Sequence, residues 1–370
     1  MQNPIIRFGI IGAAGRGGGY VGALQAHPST EITALCDIRE EQVEQSAEEL
    51  GVKHMFTDAE EMLDSGEMDA VVVGTPMHLH VPQAIMALER DLHVISEVPT
   101  GISIEECRDL VRTARRSKAA YMMAENYVYM KPNILVRELV RRGLFGEIYY
   151  AEGAYLHELK DLNEKTPWRR RWQTGVNGCT YPTHSLGPVL QWFEGHRVVA
   201  VCAMGTGHHY QDPRSAYYEM EDSVTMMCRL SGGGLAQIRV DMLSNRPHNM
   251  VHYALQGTDG CYESTDGYKG IPKIWLRSRS EQPQWEPLNN LEEEYLPEYW
   301  KHPPEAALKA GHGGGDYWEV QDFVGAIQEG REPPIGIDQA MDLTLPGLVS
   351  QQSIAQGSTW VAVPDSRNWT

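Results

Sequence analysis

The chain has 370 residues, 32 of them basic and 50 acidic, for a formal net charge of −18. Hydrophobic residues make up 42% and charged residues 22%, a globular composition that excludes wholesale disorder. The acidity argues against a reader of nucleic-acid backbones, which needs a concentrated basic face, and against docking on anionic membranes.

The length suggests two domains or one large one. Six cysteines (Cys36, Cys107, Cys179, Cys202, Cys228 and Cys261) form no C-x-x-C pair, so reduced structural thiols are expected. No apolar run approaches the ~20 residues of a bilayer span. The first residues, MQNPIIRFGIIG, lead straight into a strand pattern, so a soluble cytoplasmic protein is the default expectation.

In chain order, short continuous apolar runs at Ile5–Ile11, Ile32–Cys36, Ala70–Val73, His93–Ser96 and Ala120–Met123 read as strands covered on both faces. Amphipathic stretches near 18–27, 40–51, 58–65, 82–90 and 104–117 alternate with them. That alternation predicts a doubly wound parallel sheet over residues 1–124. A helix near 131–143 follows. Longer strand patterns then come without intervening helices: Ile148–Tyr155, Val198–Met204, Ser223–Leu230, Gly234–Val240, Val251–Gln256 and Ile274–Arg277. They predict an α+β domain with a large, mostly antiparallel sheet over 125–370. Residues 281–310 are acidic and irregular and read as a long surface excursion. Helices at Asp316–Glu329 and Gln339–Ala355 and a strand at Trp360–Val363 close the chain.

Residues 9–20, GIIGAAGRGGGY, lie between a strand and a helix pattern. Gly12, Ala14 and Gly17 occupy the G-x-G-x-x-G positions of a dinucleotide turn, with Gly15 and Arg16 beside them. Asp37 ends the second strand, where an acid suits the ribose 2′-hydroxyl of NAD and repels the 2′-phosphate of NADP. Arg39 tempers that preference.

Residues 74–101, GTPMHLHVPQAIMALERDLHVISEVPTG, resemble the signature of the Gfo/Idh/MocA oxidoreductases. Thr75, Pro76 and His80 match the T-P-x-x-x-H loop, and Glu97, Val98 and Pro99 match E-K-P. The resemblance covers essentially the whole chain and implies a Rossmann domain followed by an open-sheet substrate domain. It also implies a cofactor set of Gly12, Ala14, Gly15, Arg16, Gly17, Asp37, Arg39, Thr75, Pro76, His80, Glu97 and Asn126. Two catalytic positions depart from the pattern: the lysine is Val98, and the acid four residues before His184 is Thr180.

A narrower resemblance is to the NAD-dependent glycosidases of glycoside hydrolase family 109. It rests on E-V-P, MMAEN (Met122–Asn126), AEGAYLH (Ala151–His157), YPTHSLGP (Tyr181–Pro188) and GHGGGD (Gly311–Asp316), in that order. It implies that Glu125, Tyr155, His157, Tyr181 and His184 line a sugar pocket. It also implies a reaction with no net oxidation: C3 is oxidised, C2 loses a proton, the C1 aglycone is eliminated, water adds and C3 is reduced. His184 would assist at the C3 hydroxyl, and Tyr155 or Tyr181 would handle the C2 proton or the leaving group. NAD is the cofactor, a small glycoside the substrate, and a homodimer or homotetramer the expected assembly.

Plainer readings stand beside these. His78 with His80, and His208 with His209, lack a third ligand at useful spacing, so no metal is expected. Arg169, Arg170 and Arg171 between Trp168 and Trp172 are expected to pair with acids, bind substrate polar groups or sit at a subunit interface. Met122 and Met123 read as core, and Asp316 as a helix N-cap. The rival functions are a sugar or cyclitol dehydrogenase and a non-catalytic NAD-binding sensor. Val98 and Thr180 count against the first, and the Tyr/His cluster counts against the second.

Overall fold

The computed structural model describes residues 4–267 and 270–370, which pack as two compact units. The first holds the described residues up to Tyr129 with Pro304–Met341 and Ser366–Thr370; the second holds Met130–Pro303 and Asp342–Asp365. Sequence texture divides the chain once, after residue 124; packing joins two C-terminal segments to the first part.

The first unit carries six parallel strands: β1 (Ile6–Ile11), β2 (Thr30–Cys36), β3 (His54–Phe56), β4 (Ala70–Val73), β5 (His93–Ser96) and β6 (Tyr121–Met123). Their order is β3-β2-β1-β4-β5-β6. Every residue of β4 is buried, as the unbroken AVVV run requires of a strand covered on both faces. The edge strand β3 is absent from the sequence reading. It has only three residues, none fully buried, so it leaves no apolar signature. The helix Ile104–Arg116 starts at a capping box in which Ser103 and Glu106 satisfy each other's backbone N–H groups.

Strand order reverses between β1 and β4, and the Gly12 turn follows β1 there. Gly12 has φ 82°, and a Cβ on it would lie 2.6 Å from Gly74 O. A Cβ on Gly17 would lie 2.8 Å from Gly12 O, and one on Gly74 2.4 Å from Gly17 Cα. Three backbones meet here with no room for a side chain.

The second unit carries nine strands: β7 (Ile148–Leu156), β8 (Val198–Gly205), β9 (Ser223–Leu230), β10 (Leu235–Asp241), β11 (Met250–Gly257), β12 (Gly260–Glu263), β13 (Lys273–Leu276), β14 (Glu286–Pro287) and β15 (Val361–Ala362). The order is β14-β13-β12-β11-β7-β10-β9-β8-β15. The β7–β10 pair is parallel and the others antiparallel, giving the mixed, mostly antiparallel sheet expected. Burial alternates residue by residue along β11, so one face is covered and the other half-open.

Sequence reading leaves the segment after Tyr181 without a helix. The structure starts one at Thr183 and runs it to Trp192. Pro188 hides it from a periodicity test. Pro188 has no N–H to give the carbonyl of His184, four residues back, and the Tyr253 hydroxyl donates to that carbonyl instead. The helix lies directly on β7: a Cβ on Gly153 would come within 2.1 Å of Ser185 O.

Residues 281–310 are less of a surface excursion than their composition suggests. Leu288, Leu291, Leu296 and Trp300 are buried, and short helices form at Glu292–Tyr295, Glu298–Lys301 and Glu305–Lys309. Among the described residues no helix is long and apolar enough to cross a membrane.

The Gly153 contact sets a clear expectation. Gly153→Ala forces the helix Thr183–Trp192 off the sheet and destabilises the protein by about 1–3 kcal/mol in urea unfolding. Gly22→Ala meets no atom within 4 Å in the helix Val21–Ala26. It raises stability by about 0.5–1 kcal/mol.

Candidate functional site

The turn after β1 is tied to the end of β2. Asp37 Oδ2 accepts from the Ala14 N–H at 3.0 Å. Arg39 grips both Asp37 oxygens through Nε at 2.9 Å and Nη2 at 3.0 Å. Burial works against the Asp37 charge, but Arg39 and the Ala14 N–H outweigh it and hold the carboxyl below the ordinary range. Gly15 stays open beside this pair: a Cβ there would be 3.2 Å from Arg39 Nη2.

Arg16 turns the other way. Its Nε donates to Glu97 Oε1 at 2.6 Å, and its Nη1 and Nη2 donate to the two oxygens of Asp316 at 2.9 and 2.8 Å. The Tyr20 hydroxyl donates to the same Glu97 oxygen at 2.5 Å. Asp316 Oδ1 also accepts from Asn126 Nδ2 at 2.8 Å and lies 3.0 Å from His312 Nδ1. Gly315 makes this approach possible, because a Cβ there would meet Asn126 O at 2.3 Å. Asp316 is thus no N-cap: Gly314 holds that position without a side-chain bond, and the carboxylate is spent on Arg16, Asn126 and His312.

The same network changes the charge of its members. Burial alone would raise Asp316 and Glu97. His312 and Arg16 hold Asp316 far below the ordinary carboxylate range, and Arg16 with Tyr20 holds Glu97 below it. Glu319, one turn beyond Asp316, is fully buried with both carboxylate oxygens unpartnered. Burial and the neighbouring Asp316 and Glu97 push its carboxyl well up, so it keeps its proton.

The loop after β4 is braced internally. His80 is buried, with Nδ1 2.8 Å from Pro99 O and Nε2 2.8 Å from Thr75 O. Thr75 Oγ1 donates to Gln83 at 2.6 Å. Pro76 precedes the single turn Met77–Leu79 that leads into the helix His80–Leu88. Glu125 and Asn126 follow β6, both buried, and Glu125 Oε1 accepts from the Tyr127 N–H at 3.1 Å.

Four sequence-predicted residues come together in the second unit. Tyr155, near the end of β7, is buried, and its hydroxyl lies 2.7 Å from His157 Nδ1. The ring centroids of Tyr155 and His184 are 5.2 Å apart, those of Tyr155 and Tyr181 5.5 Å, and those of Tyr181 and His184 5.2 Å. Tilted and edge-on rings at these separations pack favourably. Glu125 lies in the first unit. Burial, with His248, His184 and Arg169 nearby, lowers the His157 pKa to about 4.

Two positions depart from the lysine and acid of the wider oxidoreductase pattern. Val98 is buried and unable to ionise. Thr180 gives its hydroxyl to Gln173 O at 2.8 Å. Of the arginines in the Trp168–Trp172 stretch, Arg170 pairs with Glu219 at 2.7 Å. Arg169 lies over the Trp168 ring and Arg171 over the Trp172 ring.

Sequence reading misses Tyr20, His248, His312 and Glu319. His248 sits on an exposed stretch before β11, with its ring 5.3 Å from His157. No local motif marks it. The H-G-G-G-D string does mark His312 and Asp316, but only packing reveals their partner, Arg16.

A dinucleotide fits the first unit. The glycine turn follows β1 where strand order reverses, the usual place for a pyrophosphate, and Asp37 directly follows β2, where an acid suits a ribose. Asn126 Oδ1 is a buried acceptor without a partner, left for a ligand once Nδ2 is committed to Asp316. The turn built by Gly12, Ala14, Gly15 and Gly17 would face the phosphates and Asn126 the nicotinamide half, although the N–H groups of these four turn residues bond within the protein.

Comparison with known proteins agrees. Residues 6–125 match the oxidoreductase family with an NAD-binding Rossmann fold, and residues 129–369 match the glycosyl hydrolase 109 C-terminal domain. A glycosyl hydrolase family 109 protein of Saccharopolyspora erythraea is 29% identical over 97% of this chain and 83% of its own. The alpha-N-acetylgalactosaminidase of Shewanella oneidensis is 28% identical over 98% of this chain and 85% of its own. Levoglucosan dehydrogenase, solved with NADH and levoglucosan, shares the fold: TM-score 0.82, 22% identity, 97% of this chain and 99% of that one. With NAD as cofactor, the protein is an enzyme, a glycosidase or a sugar-modifying oxidoreductase, and the chain belongs to the glycosyl hydrolase 109 family.

Proposed function

We propose that the protein is an NAD-dependent glycoside hydrolase that cleaves its substrate by elimination and hydration rather than by direct displacement. The observation that carries this reading is the Tyr155 hydroxyl on His157 Nδ1 at 2.7 Å, within a ring cluster that includes Tyr181 and His184. A net dehydrogenase needs one base at a hydroxyl. A cluster of two phenols and two imidazoles supplies the several proton transfers that elimination requires.

When bound beside Asn126, NAD+ would supply a two-electron acceptor and donor for sugar C3. The chain's own groups move the protons. His184 accepts the C3 hydroxyl proton and later gives it back. A carbonyl at C3 acidifies the C2 proton, and the Tyr155 oxygen receives that proton as its own passes to His157 Nδ1. The pKa of His157, lowered to about 4, keeps its imidazole neutral, so Nδ1 can hold the Tyr155 hydroxyl in place, while making the imidazole a weaker base. Tyr181 donates to the C1 oxygen as the aglycone leaves. Water then adds at C1, the C2 proton is restored and C3 is reduced, so the sum is hydrolysis alone. The Shewanella oneidensis relative makes an N-acetylgalactosaminide the first substrate to try.

The test is a panel of α- and β-nitrophenyl glycosides, reading aglycone release and NADH absorbance together. Release without lasting NADH is expected, and His184→Ala lowers it by about 10²-fold or more. Hydrolysis in deuterium oxide leaves deuterium at C2 of the product. NADH accumulation without release overturns the reading in favour of a dehydrogenase.

The lowered His157 pKa also has a stability consequence. Between about 6.5 and about 4 the unfolded chain binds this proton and the folded chain does not, so stability falls as pH falls through that window. His157→Gln flattens the decline in urea midpoint between pH 7 and pH 5. An unchanged slope refutes the assignment.

A further inference from the structure

The buried network around Arg16 carries more negative than positive charge. Arg16 brings one positive charge; Glu97 and Asp316, both ionised, bring two negative ones. Glu319 is fully buried with no partner for either oxygen, and burial beside Asp316 and Glu97 raises its pKa and so favours its neutral form; Tyr20 donates to Glu97. Glu125, also fully buried, adds a further carboxyl after β6. His312 lies at the rim, its Nδ1 3.0 Å from Asp316 Oδ1, and when neutral leaves the excess in place.

Position gives this excess a target. Glu97 directly follows β5, and Glu125 and Asn126 follow β6, so they stand at the carboxyl ends of parallel strands. Ligands of doubly wound sheets bind outside those ends. Asp316 fixes the Asn126 amide through Nδ2 and leaves Oδ1, buried and unpartnered, as an acceptor. The oxidised nicotinamide ring is a cation and the reduced ring is neutral, so a buried anionic surplus discriminates between them.

We propose that Asp316, together with Glu97, makes the cofactor site selective for NAD+ over NADH, and that Asp316 is the positioning residue for Asn126. Its neighbour Gly315 lets the two segments approach, since a Cβ there would meet Asn126 O at 2.3 Å. The inference rests on the NAD site alone and not on the glycosidase reading.

The experiment measures dissociation constants for NAD+, NADH and ADP-ribose by calorimetry at pH 8, without sugar. In the unmodified chain NAD+ binds at least as tightly as NADH; tighter NADH binding overturns the proposal before any variant is made. Asp316→Asn and Glu97→Gln each shift the NAD+/NADH affinity ratio against NAD+ by about tenfold, the scale of one unit charge at an effective dielectric near ~20. ADP-ribose, which lacks the ring, reports whether the turn is still formed. Equal losses for NAD+ and NADH with ADP-ribose binding intact overturn the proposal. Should Asp316→Asn not fold, Glu97→Gln and the wild-type ratio decide. Glu319→Gln removes no charge and leaves the ratio unchanged; a tenfold shift there would refute the charge assignment. Since no sugar is present, failure of the hydrolase reading cannot be mistaken for failure of this one.

Discussion

The guanidinium of Arg16, held between Glu97 and Asp316, is the constraint on which the first unit's site depends. Four segments distant in sequence meet around it: the turn after β1, the end of β5, the end of β6, and the His312 turn with the helix Gly315–Glu329 that follows it. A buried ion pair of this kind gives little net stability, because desolvation offsets most of the attraction. What it supplies is a single permitted arrangement, since removing Arg16 leaves two buried carboxylates uncompensated at a cost of about 3–5 kcal/mol. Fidelity of the dinucleotide turn therefore depends on residues near the far end of the chain.

The second unit reaches the same end with rings. Tyr155 is fixed by the sheet, and His184 by a helix that can lie on that sheet only because residue 153 is glycine. Pro188 then frees the His184 carbonyl, and the Tyr253 hydroxyl from β11 occupies it. A residue that normally breaks helices here pins the backbone of a site residue to the neighbouring strand. The YPTHSLGP string is therefore both a packing instruction and a chemical one: Pro188 and Gly187 fit the helix to its place, while Tyr181 and His184 face the cluster.

Much of the fold is legible in the sequence, because the parallel strands are continuous apolar runs and the helices between them carry one wet face. Ala70–Val73, His93–Ser96 and Ser223–Leu230 agree with the structure to the residue. What escapes are elements without periodicity, such as the three-residue edge strand β3, the buried helix around Pro188 and the short helices after 281. At the sites, motif strings point to Tyr155, His157, Tyr181 and His184, which do come together, but motifs carry no partners. Asp316 reads locally as a cap because three glycines precede it; only a fold that brings Arg16 to it shows otherwise. His248 and Glu319 have no local signal, since their surroundings are assembled from distant segments.

The absence of a lysine after Glu97 and the surplus of acid around Arg16 are two sides of one arrangement. Val98 gives its N–H to Glu97 Oε2 at 3.2 Å and buries an apolar side chain. An ammonium at that position would sit beside Glu97 and cancel the surplus, while offering a base at the sugar hydroxyl. With valine there, the surplus persists, and in the proposed mechanism base chemistry falls to phenol and imidazole groups. An enzyme that returns the electron pair to the sugar in every cycle must begin each cycle with oxidised cofactor. On the selectivity and hydrolase reading proposed above, fixed charges that favour the cationic ring would make that the resting state.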